Sequence, residues 1–311
     1  MDISVVICTY NRSEMLLRVL QDLDKSICPV DMEWEVLIVD NNSRDRTKSV
    51  ADDFVGKNPQ RFRYVFDARQ GKSIALNTGI ESARGDILAF TDDDVLVDAE
   101  WLMQLKRVFE NFPCIGVGGR IVPLFTSKPP PWLIVDSWEP FLNTLVAFEF
   151  GDKPFSLRAP PFGANMAFRR TAFTKYGVFR TDLGPTEKNQ GGKGEDTEFG
   201  QRLLTHDETL MYAPEAVIYH PVEKKRMTRR YFRTWYFNQG RFEAITSVDI
   251  PREITCCFGV PRFFFRILID YFILMMSTSD KLMSSRHKRD FYKTLGWIVE
   301  FFCRSRRSNS Y

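Results

Sequence analysis

The sequence lacks the paired cysteines that disulfide scaffolds and redox motifs need. Its 311 residues contain six cysteines, and none of them forms a CxxC pair. The N-terminal Met1 and Asp2 are followed by an apolar run that is too short for the core of a signal peptide. We therefore expect reduced thiols and a cytoplasmic catalytic domain.

Long apolar runs and a strong excess of one charge are also missing. No uninterrupted apolar run is long enough to span a bilayer. The 43 basic and 40 acidic residues leave a net charge of +3, so the chain is not a polycation built for nucleic acid, although its basic excess lies mostly after residue 220. The hydrophobic content of 44% permits a sizeable core in one large or two small domains.

Two nucleotide-binding signatures are absent as well. No GxGxxG follows the first apolar segment, and no GxxxxGK[ST] occurs. The absence of both argues against a Rossmann dinucleotide site and a P-loop.

What the N-terminal part does contain is a regular alternation of strand and helix patterns. Four short apolar segments read as buried strands, with amphipathic segments between them, at residues 3–8, 34–39, 62–66 and 87–90. Such alternation predicts an α/β fold with a parallel sheet. Three of these strands end in polar loops, at residues 9–12, 40–43 and 91–94. Since the carboxyl ends of parallel strands line the ligand crevice, the three loops should converge on one site.

The last of these loops is the most informative, because it contains three consecutive acids. Asp92 and Asp94 are two residues apart, so an extended backbone points them the same way. Two carboxylates on one face suit Mg2+ or Mn2+ holding substrate phosphates. The alternative is a solvated acidic turn that caps a helix beginning near residues 99–101. Residues 87–95 alone leave both interpretations open.

The second part of the chain contains two candidate loops and one further strand. Residues 123–161 are proline-rich and weakly patterned, which predicts an excursion over the mouth of the site. Residues 184–194 hold four glycines and predict a flexible lid. Glu195 and Asp196 begin a helix, and a short strand at residues 216–219 ends at His220.

These motifs together resemble family 2 nucleotide-sugar glycosyltransferases with the GT-A fold. The matching segments are SVVICTYNR at residues 4–12, LIVDNNS at 37–43, GK at 71–72, NTG at 77–79, FTDDD at 90–94, GANM at 163–166 and GED at 194–196. The resemblance covers about residues 2–240 and implies a GT-A, Rossmann-like α/β fold, with a mostly parallel sheet flanked by helices. It implies a nucleotide-sugar-binding half at 1–98 and an acceptor-binding half at 99–225 of one GT-A domain, and the basic and aromatic composition of residues 226–311 predicts a helical extension. The QxxRW motif of processive members is missing, because Arg233, Trp235 and Gln239 occur in another order.

The resemblance also implies a role for individual residues. Donor binding falls on residues of the three loops and on one lysine, namely Thr9, Tyr10, Asn11, Arg12, Asp40, Asn42, Lys72, Asp92 and Asp93. Tyr10 would lie near the base, and Lys72 near the base or the phosphates. Asp92, Asp94 and His220 would hold Mn2+ or Mg2+. Asp196, with Glu195 beside it, matches the acid that serves as general base.

Two of these roles have structural alternatives. An acid in the first turn of a helix often caps that helix and complements its dipole, which would explain Glu195 and Asp196 without catalysis. A histidine before a proline at a strand end is often a structural hydrogen-bonding group, and hard ions prefer oxygen ligands to the ring nitrogen of His220.

After residue 224 the chain becomes basic and aromatic. Residues 263–276 are nearly all apolar, interrupted by Arg266 and Asp270, and these fourteen residues are too few to span a bilayer. Basic residues flank them, which suits peripheral contact with an anionic membrane surface. The alternatives are a helical appendage packed on the catalytic domain or an interface between copies of the chain, so the oligomeric state stays open.

The sequence as a whole predicts a metal-dependent, inverting glycosyltransferase at the cytoplasmic face of a membrane. Its donor would be a nucleoside-diphosphate sugar, with a UDP-sugar favoured, and its acceptor a glycan or a lipid-linked glycan. No nucleic-acid partner is expected. The rival functions are a nucleotidyltransferase, which also builds an acidic metal site on an α/β sheet, and a non-catalytic sugar-nucleotide or membrane-binding module.

Overall fold

The computed structural model describes residues 1–133, 142–186, 194–246 and 255–308. The strands are β1 Ile3–Thr9, β2 Trp34–Asp40, β3 Phe62–Phe66, β4 Ile87–Asp92, β5 Leu96–Val97, β6 Gly116–Phe125, β7 Phe155–Ser156, β8 Asn165–Arg169, β9 Leu210–Val222, β10 Cys256–Cys257 and β11 Val260–Pro261. The helices are α1 Ser13–Asp24, α2 Thr47–Lys57, α3 Lys72–Ser82, α4 Trp101–Asn111, α5 Leu142–Leu145, α6 Arg170–Tyr176, α7 Glu195–Thr205, α8 Arg229–Thr246, α9 Arg262–Ser277 and α10 Lys281–Ser308. Across these described residues, none of the helices combines the length and the apolar character needed to cross a membrane.

A single large sheet organises the first two thirds of the chain. Its strand order is β3-β2-β1-β4-β8-β6-β9-β5, with β7 paired to β9. The first four strands in this order run parallel to one another, and β8 runs antiparallel to β4. The parallel α/β half predicted from the alternating pattern is confirmed, and the antiparallel strands extend it on one side.

The chain groups into two compact units. The first contains Met1–Leu124 and Val146–Pro221, and the second contains Phe125–Leu145 and Val222–Tyr311. Residues 125–145, which the sequence-based division assigned to the acceptor half, thus group with the C-terminal helices. The functional division into donor and acceptor halves stays a prediction.

Aromatic rings fill the core of the first unit beneath the acidic strand. Phe90 of β4, Phe168 of β8 and three further phenylalanines are at most 5% exposed. Phe199 lies among them, with ring centroids 4.8 Å from Phe173, 5.0 Å from Phe168 and 5.1 Å from Phe179. Because Phe199 belongs to α7, this contact fixes the helix that carries Glu195 and Asp196 against the sheet.

Removing that ring should destabilise the fold. Phe199→Ala would leave a cavity between α6, α7 and β8, and such truncations cost about 3–5 kcal/mol. The midpoint of chemical unfolding should fall accordingly, whereas Phe66→Ala, at a side chain that is 52% exposed, should leave it nearly unchanged. An unchanged midpoint for Phe199→Ala would contradict this packing role.

Two details of the second part of the chain differ from the sequence-based expectation. Strand β9 spans thirteen residues rather than four. Its prolines, Pro214 and Pro221, obscured the strand pattern in the sequence. In the structure β9 pairs with β7 at residues 211–212 and with β5 at residues 218–219, so neither proline has to donate a backbone hydrogen bond to those two ladders. Residues 134–141 of the predicted excursion and 187–193 of the predicted lid lie outside the described residues.

The second unit is built on helices α8, α9 and α10. Helices α8 and α10 approach closely, since a Cβ on Gly240 would lie 1.8 Å from the carbonyl oxygen of Lys293 and one on Gly296 would lie 2.0 Å from that of Phe237. Only glycine permits this approach at either position. Arg241 also pairs with the buried Glu300 across the two helices at 2.9 Å.

Candidate functional site

The carboxyl ends of β1, β2 and β4 lie side by side in the sheet. Thr9 aligns with Asp40, and Cys8 aligns with Asp92, because the three strands are parallel and in register. The convergence of the three polar loops predicted from the sequence is therefore observed. This edge of the sheet is where open α/β folds bind their ligands.

Two basic side chains neutralise the acids at this edge. The Arg12 guanidinium donates to Asp93 at 2.8 Å and to Asp94 at 3.0 Å. The Lys72 ammonium lies 2.8 Å from Asp92 and 3.6 Å from Glu195. The site is therefore a network of alternating charges. Its two basic side chains, Arg12 and Lys72, lie where they could also bind an anionic diphosphate.

Burial and these cations set the ionisation of the acids. Burial raises the pKa of Asp93 to about 6, although the Arg12 charge opposes this shift. Burial would also raise the pKa of Asp92, but the charge and hydrogen bond of Lys72 bring it below its ordinary value. Burial raises the pKa of Glu195 against the opposing charge of Lys72. Asp92 is thus held ionised, while Asp93 and Glu195 are held closer to their protonated forms.

Asp92, Asp94 and His220 form a group that fits one metal ion. One potential ligand atom from each lies within 4.8 Å of the other two. His220 is 3% exposed and its Nε2 is 3.9 Å from Asp94. Its Nδ1 is 3.1 Å from the carbonyl oxygen of Pro221, a contact that would orient the ring and leave Nε2 for a ligand. Two carboxylates and an imidazole suit Mn2+, and the carboxylates also suit Mg2+.

The loops after β1 and β2 hold one another in place. Asn11, with φ of 53°, donates its backbone N–H to Ser43 Oγ and accepts from the backbone N–H of Arg44. Asp40 is buried and accepts from the backbone N–H of Ser43 and from the hydroxyl of Tyr64. The neighbouring Asn42 has a left-handed backbone conformation, with φ of 69°. Each of these loop conformations depends on a polar side chain from the other loop.

The remaining predicted donor residues, Thr9 and Tyr10, differ in exposure. Thr9 is buried at the end of β1, whereas the ring of Tyr10 is 40% exposed. A tyrosine ring that is exposed in this way presents a flat apolar face to solvent, on which a nucleobase could stack.

Two residues of the site were missed by the sequence reasoning. Asn41 accepts from the backbone N–H of Gly71 and donates to the carbonyl of Arg69, so it fixes the turn that precedes Lys72. Asp67 pairs with Arg69 and accepts from Thr78, and the Arg69 hydrogen bonds hold the pKa of Asp67 at about 2. Asp67 could have been found from the sequence, since it follows β3 directly and makes a fourth polar strand end. Asn41 lies in the polar loop after β2.

Asp196 follows Glu195 at the start of α7, and short contacts connect it to the strand that carries Asp92. Its Oδ2 accepts from the backbone N–H of Gly163 at 2.7 Å, and its Oδ1 accepts from the backbone N–H of Thr197 at 2.7 Å. The residue after Gly163, Ala164, accepts a hydrogen bond from the hydroxyl of Thr91. Thr91 immediately precedes Asp92, so two short contacts connect Asp196 to the acids.

Asn165 completes this connection in the sheet. It is fully buried, its side-chain amide donates to the carbonyls of Arg120 and Ala216, and it accepts from the indole N–H of Trp101. The Gly-Ala-Asn segment is thereby fixed to β6, β9 and α4. It holds the Gly163 amide, and with it Asp196, at a defined distance from β4.

The comparisons with solved structures show the same fold. The mannosyltransferase PcManGT from Pyrobaculum calidifontis, in complex with GDP-Man and Mn2+, matches with a TM-score of 0.58 at 17% identity, covering 99% of this chain and 74% of that chain. Residues 1–349 of S. aureus TarS, in complex with UDP-GlcNAc, match with a TM-score of 0.54 at 14% identity, covering 100% of this chain and 92% of that chain. These similarities confirm the GT-A type of α/β fold.

Sequence relatives are more informative about the family. The succinoglycan biosynthesis protein ExoM of Rhizobium meliloti is 26% identical over 240 residues, covering 77% of this chain and 73% of that protein. The glucosyl-dolichyl phosphate glucuronosyltransferase of Haloferax volcanii is 29% identical over 188 residues, covering 59% of this chain and 58% of that protein.

The family comparison covers the part of the site built on the first 177 residues, which includes Asp92 and Asp94 but not Glu195, Asp196 or His220. The model of glycosyl transferase family 2 matches residues 4–177, which is more than half of the chain and includes β1, β2, β4 and the Gly163–Asn165 segment. The chain therefore belongs to glycosyl transferase family 2, a family of glycosyltransferases.

Proposed function

We propose that this chain transfers a sugar from a nucleoside-diphosphate sugar to an acceptor hydroxyl, with a divalent cation and with inversion at the anomeric carbon. The observation that carries the proposal is the group formed by Asp92, Asp94 and His220, flanked by Arg12 and Lys72. A metal site beside two cations, at the carboxyl ends of parallel strands, is suited to a diphosphate.

The donor would be held by the loops after β1 and β2. Asp40, Asn42 and the Asn11 loop line the nucleoside, and Tyr10 stacks on the base. Lys72 and Arg12 exchange their carboxylate partners for phosphate oxygens when the donor arrives. In this proposal residues 1–98 supply the donor half and residues 99–225 supply most of the acceptor half.

Asp92, Asp94 and His220 would hold the ion, with Asp92 also in reach of the ribose. When bound, Mn2+ or Mg2+ supplies Lewis-acid stabilisation to the diphosphate leaving group. The carboxylates and cations of the chain orient the donor so that its anomeric carbon faces the acceptor side. Asp93, buried against Arg12, keeps that guanidinium beside the metal acids.

Asp196 would act as the general base. It takes the proton from the acceptor hydroxyl while that oxygen bonds to the anomeric carbon and the bond from that carbon to the diphosphate breaks. The Gly163 and Thr197 amides orient its carboxylate. Glu195, buried next to Lys72, would hold the start of α7 against the donor side.

The relatives support a class of donor and acceptor. PcManGT was solved with GDP-Man and TarS with UDP-GlcNAc, and relatives are named for succinoglycan biosynthesis and for transfer to glucosyl-dolichyl phosphate. We propose a nucleoside-diphosphate sugar, with a UDP-sugar favoured, and a glycan or lipid-linked glycan acceptor. The proposal puts the activity at the cytoplasmic face of a membrane.

A thermal-shift screen of nucleotide sugars, with and without Mn2+, would test this function. A bound donor stabilises the fold by mass action, so the matching nucleotide sugar should raise the unfolding temperature, and more so in the presence of Mn2+. Free sugars and dinucleotides serve as controls. A protein that responds to no nucleotide sugar in Mn2+ or Mg2+ would contradict the proposed donor.

A further inference from the structure

Helix α9 leaves an apolar face in contact with solvent. All sixteen of its residues are described, and none of them is buried. Ile269, Phe272, Ile273 and Met276 are 59%, 50%, 56% and 72% exposed. Their spacing of three, one and three residues puts all four on one face of the helix. Such a contiguous apolar row marks an interaction surface, whereas single exposed apolar residues do not.

The other side of the same helix is fixed to its unit. Phe264 packs on Trp297 and Phe301 of α10, with ring centroids 5.2 Å and 5.8 Å apart. Tyr271 packs on His287 of α10, with ring centroids 6.5 Å apart, and Phe272, at the border of the exposed row, lies 6.2 Å from Phe291. The packed side of the helix therefore reaches as far as Phe272, and Ile269, Ile273 and Met276 lie beyond it, in contact with solvent.

Basic residues continue this row toward the start of α9. Arg262 and Arg266 are both exposed and lie two turns and one turn before Ile269. The unit formed by residues 125–145 and 222–311 contains 19 Lys and Arg against 10 Asp and Glu, whereas residues 1–124 and 146–221 contain 24 against 30. The unit that carries the exposed apolar face thus also carries the positive charge of the chain.

This combination of apolar and basic residues selects the partner. A second copy of the same face would bring like charges together, which disfavours self-association. An anionic bilayer accepts both features, because Lys and Arg are attracted to its headgroups and apolar side chains enter its interface. Sixteen residues extend for about 24 Å, which is too short to span a bilayer and suits a helix that lies in its surface.

We propose that the face of α9 formed by Ile269, Phe272, Ile273 and Met276 inserts into the interface of an anionic membrane, with Arg262 and Arg266 at the headgroups. This surface deepens the proposed function, because its use rests on an acceptor that resides in the membrane. The lipid contact itself needs neither donor nor acceptor, so the two proposals can fail separately.

Vesicle binding by the full-length chain tests this surface. The intact protein should bind vesicles of equal parts phosphatidylcholine and phosphatidylglycerol, and bind phosphatidylcholine alone much more weakly. Ile269→Gln with Ile273→Gln should lower the partition coefficient on the anionic vesicles by about a hundredfold, or about tenfold for each side chain removed from the apolar phase. The matched control is Ile27→Gln with Val30→Gln, two side chains of the first unit that are 58% and 106% exposed, and it should bind as the intact protein does.

A second variant addresses the charges. Arg262→Gln with Arg266→Gln should reduce the preference for anionic vesicles and its dependence on salt, while the weak binding to phosphatidylcholine stays. If this variant kept the full preference, the arginines would not be the headgroup contacts proposed.

Three results would overturn the proposal. The first is that the intact chain does not bind anionic vesicles, and the second is that the intact chain and the Ile269→Gln, Ile273→Gln variant bind them equally. The third is a dimer in sedimentation that this variant converts to monomer, because the face would then be a contact between copies. Sugar transfer to a water-soluble acceptor should be the same for the intact chain and the variant. If none of these proteins transferred sugar while their vesicle binding was as expected, the proposed function would be contradicted and the lipid surface supported.

Discussion

The Asp94→Asn variant should lose Mn2+-dependent donor binding and about a thousandfold in turnover. An amide oxygen is a neutral and weaker ligand than a carboxylate, so the group shared with Asp92 and His220 would lose a charge that holds the ion. Lewis-acid stabilisation of a leaving group contributes several kcal/mol, and each 1.36 kcal/mol is a factor of about ten in rate. Mn2+ binding by calorimetry and transfer rate on one preparation measure both effects.

Asp93→Asn is the matched control for metal binding. Asp93 and Asp94 both contact Arg12, but only Asp94 contributes an atom to the three-residue metal group. Asp93→Asn should therefore keep its affinity for Mn2+. Equal Mn2+ affinity in the intact protein and in Asp94→Asn would show that the proposed metal site is wrong.

Asp196→Asn should separate chemistry from donor binding. The amide cannot accept a proton at neutral pH, and removal of a general base costs about a hundred- to ten-thousand-fold in rate. Its single oxygen can replace only one of the two carboxylate oxygens, which accept from Gly163 and from Thr197, so a small loss of stability is also expected. Donor affinity should stay within a factor of two, because Lys72 and the metal acids are unchanged.

Thr197→Val is the control for the structural part of this effect. It removes the hydroxyl that bonds to Asp196 at 3.2 Å and leaves the carboxylate in place. The control should lose some stability and little rate. If Asp196→Asn transferred sugar at the normal rate, Asp196 would be a helix-terminal acid with no part in catalysis, and if it lost donor affinity it would belong to the metal side of the site.

The convergence of the ends of β1, β2 and β4 was predictable because its signals are local. Each of β1, β2 and β4 is a short, buried, apolar strand that ends in polar residues, and parallel strands bring such ends together. The spacing of Asp92 and Asp94 predicted that both side chains point the same way, and the family resemblance implied their role as metal ligands. The positions of Arg12 and Lys72 against these acids were not predictable, since the Arg12 to Asp94 contact joins residues 82 apart in the sequence.

The position of Asp196 depends on contacts that no local pattern encodes. Asp196 is tied to β4 through Gly163, Ala164 and Thr91, and each link joins distant parts of the chain. The length of β9 was underestimated because Pro214 and Pro221 interrupt its pattern. The exposed face of α9 was also beyond the sequence, which shows that residues 263–276 are apolar but not which of them remain in contact with solvent.

The most direct test of the proposed chemistry is to identify the phosphate product released when the protein, Mn2+, a binding nucleotide sugar and an acceptor are combined. We expect a free nucleoside diphosphate, formed in equal amount to the glycosylated acceptor, because the bond broken joins the anomeric carbon to the diphosphate. Release of pyrophosphate from a nucleoside triphosphate and a sugar phosphate would contradict it and would assign the same acidic site to a nucleotidyltransferase.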